Sequence, residues 1–194
     1  MRNLRLGGFH ILMAFLGTIG KRMESSGLED ILIESGTFAS GSIPTIMSGK
    51  AYNRAVRAHK LMAEALPRIL NDCIELCDGD VAKAIRSQIM KVREHFANSK
   101  ADNIPSAVDN LSVEVNPFIQ KKTTLCTEGK KTSTMFSFWH EYLQMVDILL
   151  HFIRAERTGH WELHLSSLAA MIPYFFAYDR MNYARYATVY LAQM

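Results

Sequence analysis

The chain has 194 residues, 48% of them hydrophobic and 21% charged, a globular composition that excludes disorder throughout and supplies apolar surface for one ordinary core. The formal net charge of +3 is mildly basic and permits contact with nucleic acid without demanding it. Only three cysteines occur, Cys73, Cys77 and Cys126; such a sparse, odd set excludes a disulfide framework and points to an intracellular, nuclear or cytoplasmic location.

Leu4 and Leu6 followed by Gly7-Gly8 read as a short strand over 2–6 that turns into a helix. That helix is expected over 9–24 with Gly27 as its stop. Ile11, Leu12, Phe15, Leu16 and Ile19 recur on one helical face, which marks them as core. The basic start and the apolar run after it resemble an export signal, but His10 interrupts the run and no small-residue cleavage site follows. A short helix is expected over 28–34, then a Ser/Gly loop over 35–42. Ser42 is placed to cap a further helical turn with Pro44 just inside it.

A long helix is expected over 50–77, with Tyr52, Val56, His59/Lys60, Ala63, Leu66 and Leu70 tracing its stripe. Pro67 lacks the amide that a helix interior needs, so a kink or break is expected there. Cys73 and Cys77 lie four apart on one face and read as buried thiols. As a metal pair they would need two more ligands, and His59 and His95 have no finger-like spacing. A third helical segment is expected over 80–98, with Asp80 as its N-cap.

The stretch 99–133 differs in character. It holds Pro105, Pro117 and the cluster Lys121, Lys122, Lys130 and Lys131. Loop, short helix, partial disorder and an edge strand near 113–115 all remain open for it, and it reads as a flexible insertion or linker. In the last third, Phe136, Trp139, Tyr142/Leu143, Val146, Leu149/Leu150 and Ile153 form a nearly continuous apolar stripe ended by Thr158-Gly159. Helices over 161–178, bent by Pro173, and over 182–194 complete the chain. The organisation is therefore a helical region over 1–98, an insertion over 99–133 and amphipathic helices over 134–194, all within one mainly α, bundle-like domain. No stretch of about 18 apolar residues occurs, since Asp147 and His151 break the longest candidate, so no membrane contact is expected.

Few segments invite chemistry. His160-Trp161-Glu162-Leu163-His164 puts two histidines on one helix face. Glu162, however, is rotated by about 200° from His160 and points away from both, unlike the helical zinc pattern. Surface and cap roles are the alternative, and no metal site is assigned. His10 follows the strand-to-helix junction at Gly7-Gly8, where sites cluster in α/β enzymes; a half-buried, satisfied histidine is the other reading. Dinucleotide, phosphate-loop and serine-nucleophile signatures are missing, so no cofactor is implied. The segment 175–186 is the densest. Asp179 or Asn182 is placed to cap the last helix, and Tyr183, Tyr186 and Tyr190 share a face. Arg180 and Arg185 with Tyr183 are candidates to hold a phosphate backbone and stack on bases. The plainer alternative is a helical corner with its aromatics packed inward.

Two long blocks carry a family likeness. The first is Gly7-Gly8-Phe9-His10 with Gly17-Thr18-Ile19-Gly20 and the run from Met47-Ser48-Gly49-Lys50 through His59-Lys60. The second runs from Phe152-Ile153-Arg154-Ala155-Glu156-Arg157-Thr158-Gly159, through Met171-Ile172-Pro173 and Phe176-Ala177-Tyr178-Asp179, to Asn182-Tyr183-Ala184-Arg185-Tyr186. Together they resemble an uncharacterised family of multi-copy eukaryotic proteins associated with transposable elements, and the likeness spans nearly the whole chain.

Longer members look like transposases with a ribonuclease-H-like core interrupted by helices, a type that cleaves phosphodiesters with two metal ions, usually Mg²⁺, held by carboxylates. The resemblance implies that the strands bearing the first catalytic aspartate are missing here. It also implies that Gly8 stands where a second acid often sits, and that Glu156 or Glu162 is the third. The chain is accordingly expected to be a catalytically inactive fragment or domesticated remnant that binds DNA or protein. Two alternatives stand beside this one: a metal-dependent nuclease component using His10, Glu156 and Glu162, and a structural module that self-associates or binds another protein.

Overall fold

The computed structural model describes residues 7–77 and 122–194, with residues 83, 87, 90, 94, 116, 119 and 120 between them. The expected strand over 2–6 and the edge piece near 113–115 lie outside the described residues; of the helix expected over 80–98, residues 83, 87, 90 and 94 are described and all four are helical. The protein is mainly α-helical, and its described residues contain helix, turn, bend and irregular backbone but no strand. It divides into two units, Met1–Glu64 with Trp139–Met194, and Ala65–Phe138.

The first unit opens with α1 (Gly8–Arg22). Phe15, Leu16 and Ile19 of its apolar face are fully buried, and each such side chain contributes about 1.5–3 kcal/mol by leaving water. Gly17 and Gly20 let another backbone come close: a Cβ at Gly20 would stand 1.8 Å from the Met47 carbonyl oxygen. The helix ends at Arg22 and not at Glu24, because Ser26 turns the chain back by donating both its amide and its hydroxyl to the Met23 carbonyl. Gly27, expected as the stop of α1, instead takes the left-handed position that starts α2 (Leu28–Glu34), at φ 85°.

A 3₁₀ turn at Ser40–Ser42 leads into α3 (Ile43–Met47). Ser42 holds the cap position, but its hydroxyl donates to the Ala39 carbonyl at 2.7 Å, so it does not cap. In α4 (Tyr52–Cys77) the buried stripe is Ala55, Val56, Ala58, His59 and Met62. It is therefore centred on the small residues, and Lys60 is exposed.

Three helices complete the chain: α5 (Thr134–Thr158), α6 (Trp161–Ala177) and α7 (Met181–Ala192). Gly159 at φ 67° ends α5, and the His160 amide closes back on the Ala155 carbonyl at 3.2 Å. Asp179 does the same for α6. It adopts φ 57°, and the Arg180 amide reaches the Phe175 carbonyl at 2.8 Å, the six-to-one closure of a Schellman turn. Asp179 thus terminates one helix and does not cap the next. Arg180 takes the cap position of α7 without a side-chain bond, and Asn182 falls inside that helix. The α6–α7 pair packs most extensively, and α1 lies against α3 and α6. Phe15 meets Phe175 edge-on at 5.7 Å, and Phe175 meets Tyr183 at 5.8 Å.

In the second unit, residues 122–132 are helical, with the hydroxyls of Thr123, Thr124, Thr127 and Thr132 donating to carbonyls one turn back. Ser133 caps α5 by accepting the Phe136 amide at 3.2 Å. The expectation of buried thiols fails at Cys73, which is exposed. It shares a helix face with Ile69, which is itself 58% exposed.

Candidate functional site

Inside the first unit, a cavity of about 330 Å³ opens where the start of α1, the end of α5, the start of α6 and the middle of α7 meet. The Schellman-type stop at Gly159 turns the chain sharply enough for Glu156 and His164 to face each other across it. Glu156 Oε1 lies 2.7 Å from His164 Nδ1. A carboxylate accepts the Nδ1 hydrogen here, which fixes the imidazole and leaves Nε2 outside the pair.

The other carboxylate oxygen, Oε2, lies against Gly8, where an added Cβ would stand 2.2 Å from it. The first turn of α1 carries no acid of its own, so the Glu156 charge sits favourably beside that helix's positive end.

Aromatic rings frame His164. Trp161 stacks on it nearly parallel, at 5.4 Å and 7°; Phe152 lies 4.9 Å away; Tyr190 approaches edge-on at 6.0 Å. His160 accepts the Leu163 amide on Nδ1 at 3.1 Å, so its hydrogen resides on Nε2. This is the cap role that the sequence offered for it. Trp161, His160, His164, Tyr186 and Tyr190 all line the cavity.

Of the residues that the sequence offered as catalytic or nucleic-acid-binding, Glu156 alone lines this cavity. His10 is exposed, with its neighbour Phe9 against its ring at 6.2 Å, and Glu162 is exposed in the first turn of α6. Arg180 is half-buried, its guanidinium against Gly17, while Arg185 is exposed. Tyr183 is spent on packing against Phe175. Sequence reasoning passed over Trp161, His164 and Tyr190 as site residues, although the spacing of the two histidines and the shared tyrosine face were both visible.

Glu156 is bound to His164, and neither Glu162 nor His10 lines the cavity. Among the described residues no group of three or more His, Cys, Asp and Glu side chains is placed to hold a metal ion, and no helix is long and apolar enough to cross a membrane.

A second, wider groove of about 760 Å³ lies between α1, α5 and α6. There Arg22 pairs with Glu141 and donates to the Tyr178 hydroxyl at 2.8 Å. Burial raises the Tyr174 hydroxyl above its usual range, and Glu141 adds to this.

The fold and the cavity define a helical protein with a carboxylate–imidazole pair in an aromatic frame. A family model described as "Domain of unknown function (DUF8702)" matches residues 2–194, and the chain belongs to that family. No curated protein and no solved structure matches it.

Proposed function

We propose that this chain is a transposon-derived, non-catalytic remnant of a transposase-like protein, representing the helical part of an interrupted ribonuclease-H-like fold, and that it acts by binding nucleic acid. The observation that carries this reading is the contact between Glu156 and Gly8. In a nuclease of that type, the strand-to-helix junction and the late helix would each supply a carboxylate to a shared metal pair. Here the Glu156 carboxylate fills the space that a side chain at residue 8 would need and is held by His164. The surviving acid is therefore a structural partner of an imidazole and not one of a pair of metal ligands.

Binding is supported by three exposed arginines, Arg154, Arg157 and Arg185, each next in sequence to a residue that lines the cavity. Guanidinium groups so placed suit a phosphate backbone. The corner at Arg180 and Tyr183 contributes packing in this reading, and Arg185 alone of that trio contributes to binding.

A gel-shift experiment with labelled DNA, in low salt with and without Mg²⁺, tests the proposal. A shifted but intact band is expected in both lanes. Mg²⁺-dependent cleavage that disappears in Glu156→Gln would replace this reading with the nuclease one, and no shift at low salt would remove it.

A further inference from the structure

We propose that the cavity between α1, α5, α6 and α7 receives one unpaired nucleobase of a single-stranded nucleic acid. This rests on the nucleic-acid reading above and names the part of the ligand that the site takes.

Four observations lead there. At about 330 Å³ the cavity lies at the small end of ligand sites, which span roughly 300–1,000 Å³. It has room for one base or nucleoside and none for a duplex. Its walls are aromatic: Trp161 is 51% exposed, with one face stacked on His164, and a second face remains for another planar ring.

Its polar groups suit a base edge. The His160 Nδ1 is engaged by the Leu163 amide, which leaves an Nε2–H donor. The His164 Nδ1 donates to Glu156, which leaves its Nε2 as an acceptor for a base N–H. The two imidazoles thus present different edges to one cavity, each fixed by a hydrogen bond at its Nδ1.

Arginines adjoin the lining in sequence. Arg154, Arg157 and Arg185 are exposed, each next in sequence to a lining residue, and are available to the phosphates on either side of an inserted base. Aromatic stacking combined with arginines on the backbone is how single strands are held without strong sequence preference.

The test compares a single-stranded 12-nucleotide DNA carrying one 2-aminopurine with a blunt hairpin duplex, both binding the full chain in low salt. The single strand should bind Trp161→Ala about tenfold more weakly than wild type, within the usual effect of losing one stacking partner. Duplex binding should stay unchanged. 2-Aminopurine fluorescence should be quenched by wild type and not by Trp161→Ala. Because Trp161 is half in solvent, the variant is expected to fold, and unchanged circular dichroism confirms it.

Single-strand binding that is equal in both proteins, with no quenching by wild type, would overturn base capture and leave backbone binding by the arginines standing. Failure of both DNA forms to bind wild type at low salt would remove the nucleic-acid reading and base capture together.

Discussion

His59 Nδ1 and the Tyr142 hydroxyl lie 2.9 Å apart, bridging α4 and α5 across 83 residues of sequence. Both side chains are fully enclosed, and Trp139 closes edge-on over Tyr142 at 5.7 Å. Burial pushes the Tyr142 hydroxyl well above its ordinary range and lowers His59 from 6.5 to about 4. The imidazole is therefore neutral in the folded protein, with its Nε2 buried and without a hydrogen-bond partner.

Acid sensitivity follows from that pair. Between pH 6.5 and about 4 the unfolded chain takes up a proton at His59 that the folded chain refuses. Stability therefore rises with pH through this window and is flat above it. Integrated over the window, the term approaches about 3 kcal/mol. Urea midpoints at pH 4.5 and pH 7.5 should differ clearly in wild type, and by much less in His59→Gln, which has no proton to gain. An equal pH dependence in both proteins would place the acid sensitivity elsewhere.

Removing the hydroxyl should cost stability without altering the packing shape. Tyr142→Phe leaves both His59 nitrogens without partners in the core, a penalty of about 1–3 kcal/mol. Chemical denaturation at pH 7.5 reads it directly. Adding His59→Leu to Tyr142→Phe removes the stranded imidazole and should restore part of the loss.

Close backbone approach at α1 gives a third expectation. Gly20→Ala would press a methyl carbon to 1.8 Å from the Met47 carbonyl oxygen. Because the obstacle is backbone, helices must separate, at about 1–3 kcal/mol or more. Gly41→Ala meets nothing within 4 Å and should change stability by less than about 0.5 kcal/mol. Thermal melts of the two variants should differ accordingly.

Several features were legible from sequence because they are local. The bounds of α2 (Leu28–Glu34) and the end of α5 at Thr158–Gly159 follow from apolar spacing and a glycine that accepts positive φ. The role of Asp179 was missed because the same short polar side chain serves as an N-cap and tolerates the left-handed region. The true stripe of α4 was obscured because Ala55 and Ala58 bury fully while adding little to an apolar pattern. The candidate site was only half legible. Glu156 and the two histidines stood out as residue types, but their pairing depends on the turn at Gly159 that brings α6 back against α5. No short window carries the contact between Gly8 and Glu156.

The two arginines of the α6–α7 corner should separate in their effects. Arg180 is half-buried against Gly17, so Arg180→Ala should lower the urea midpoint. Arg185 is exposed, so Arg185→Ala should leave that midpoint in place and weaken DNA binding, with the salt slope reduced by about one. Measuring stability and binding on the same two preparations distinguishes these effects. Loss of binding in both variants at unchanged stability would make the corner itself the contact surface.

The central claim is that this helical chain binds nucleic acid without cutting it, and a salt titration of fluorescence anisotropy with a labelled single-stranded oligonucleotide tests it most directly. With Arg154, Arg157 and Arg185 on phosphates, the logarithm of the binding constant should fall with the logarithm of salt at a slope near −2, about 0.7 per contact. The triple alanine variant should abolish most of that slope, and the recovered oligonucleotide should be intact. Binding absent at low salt, or a slope unchanged in the triple variant, would contradict the account.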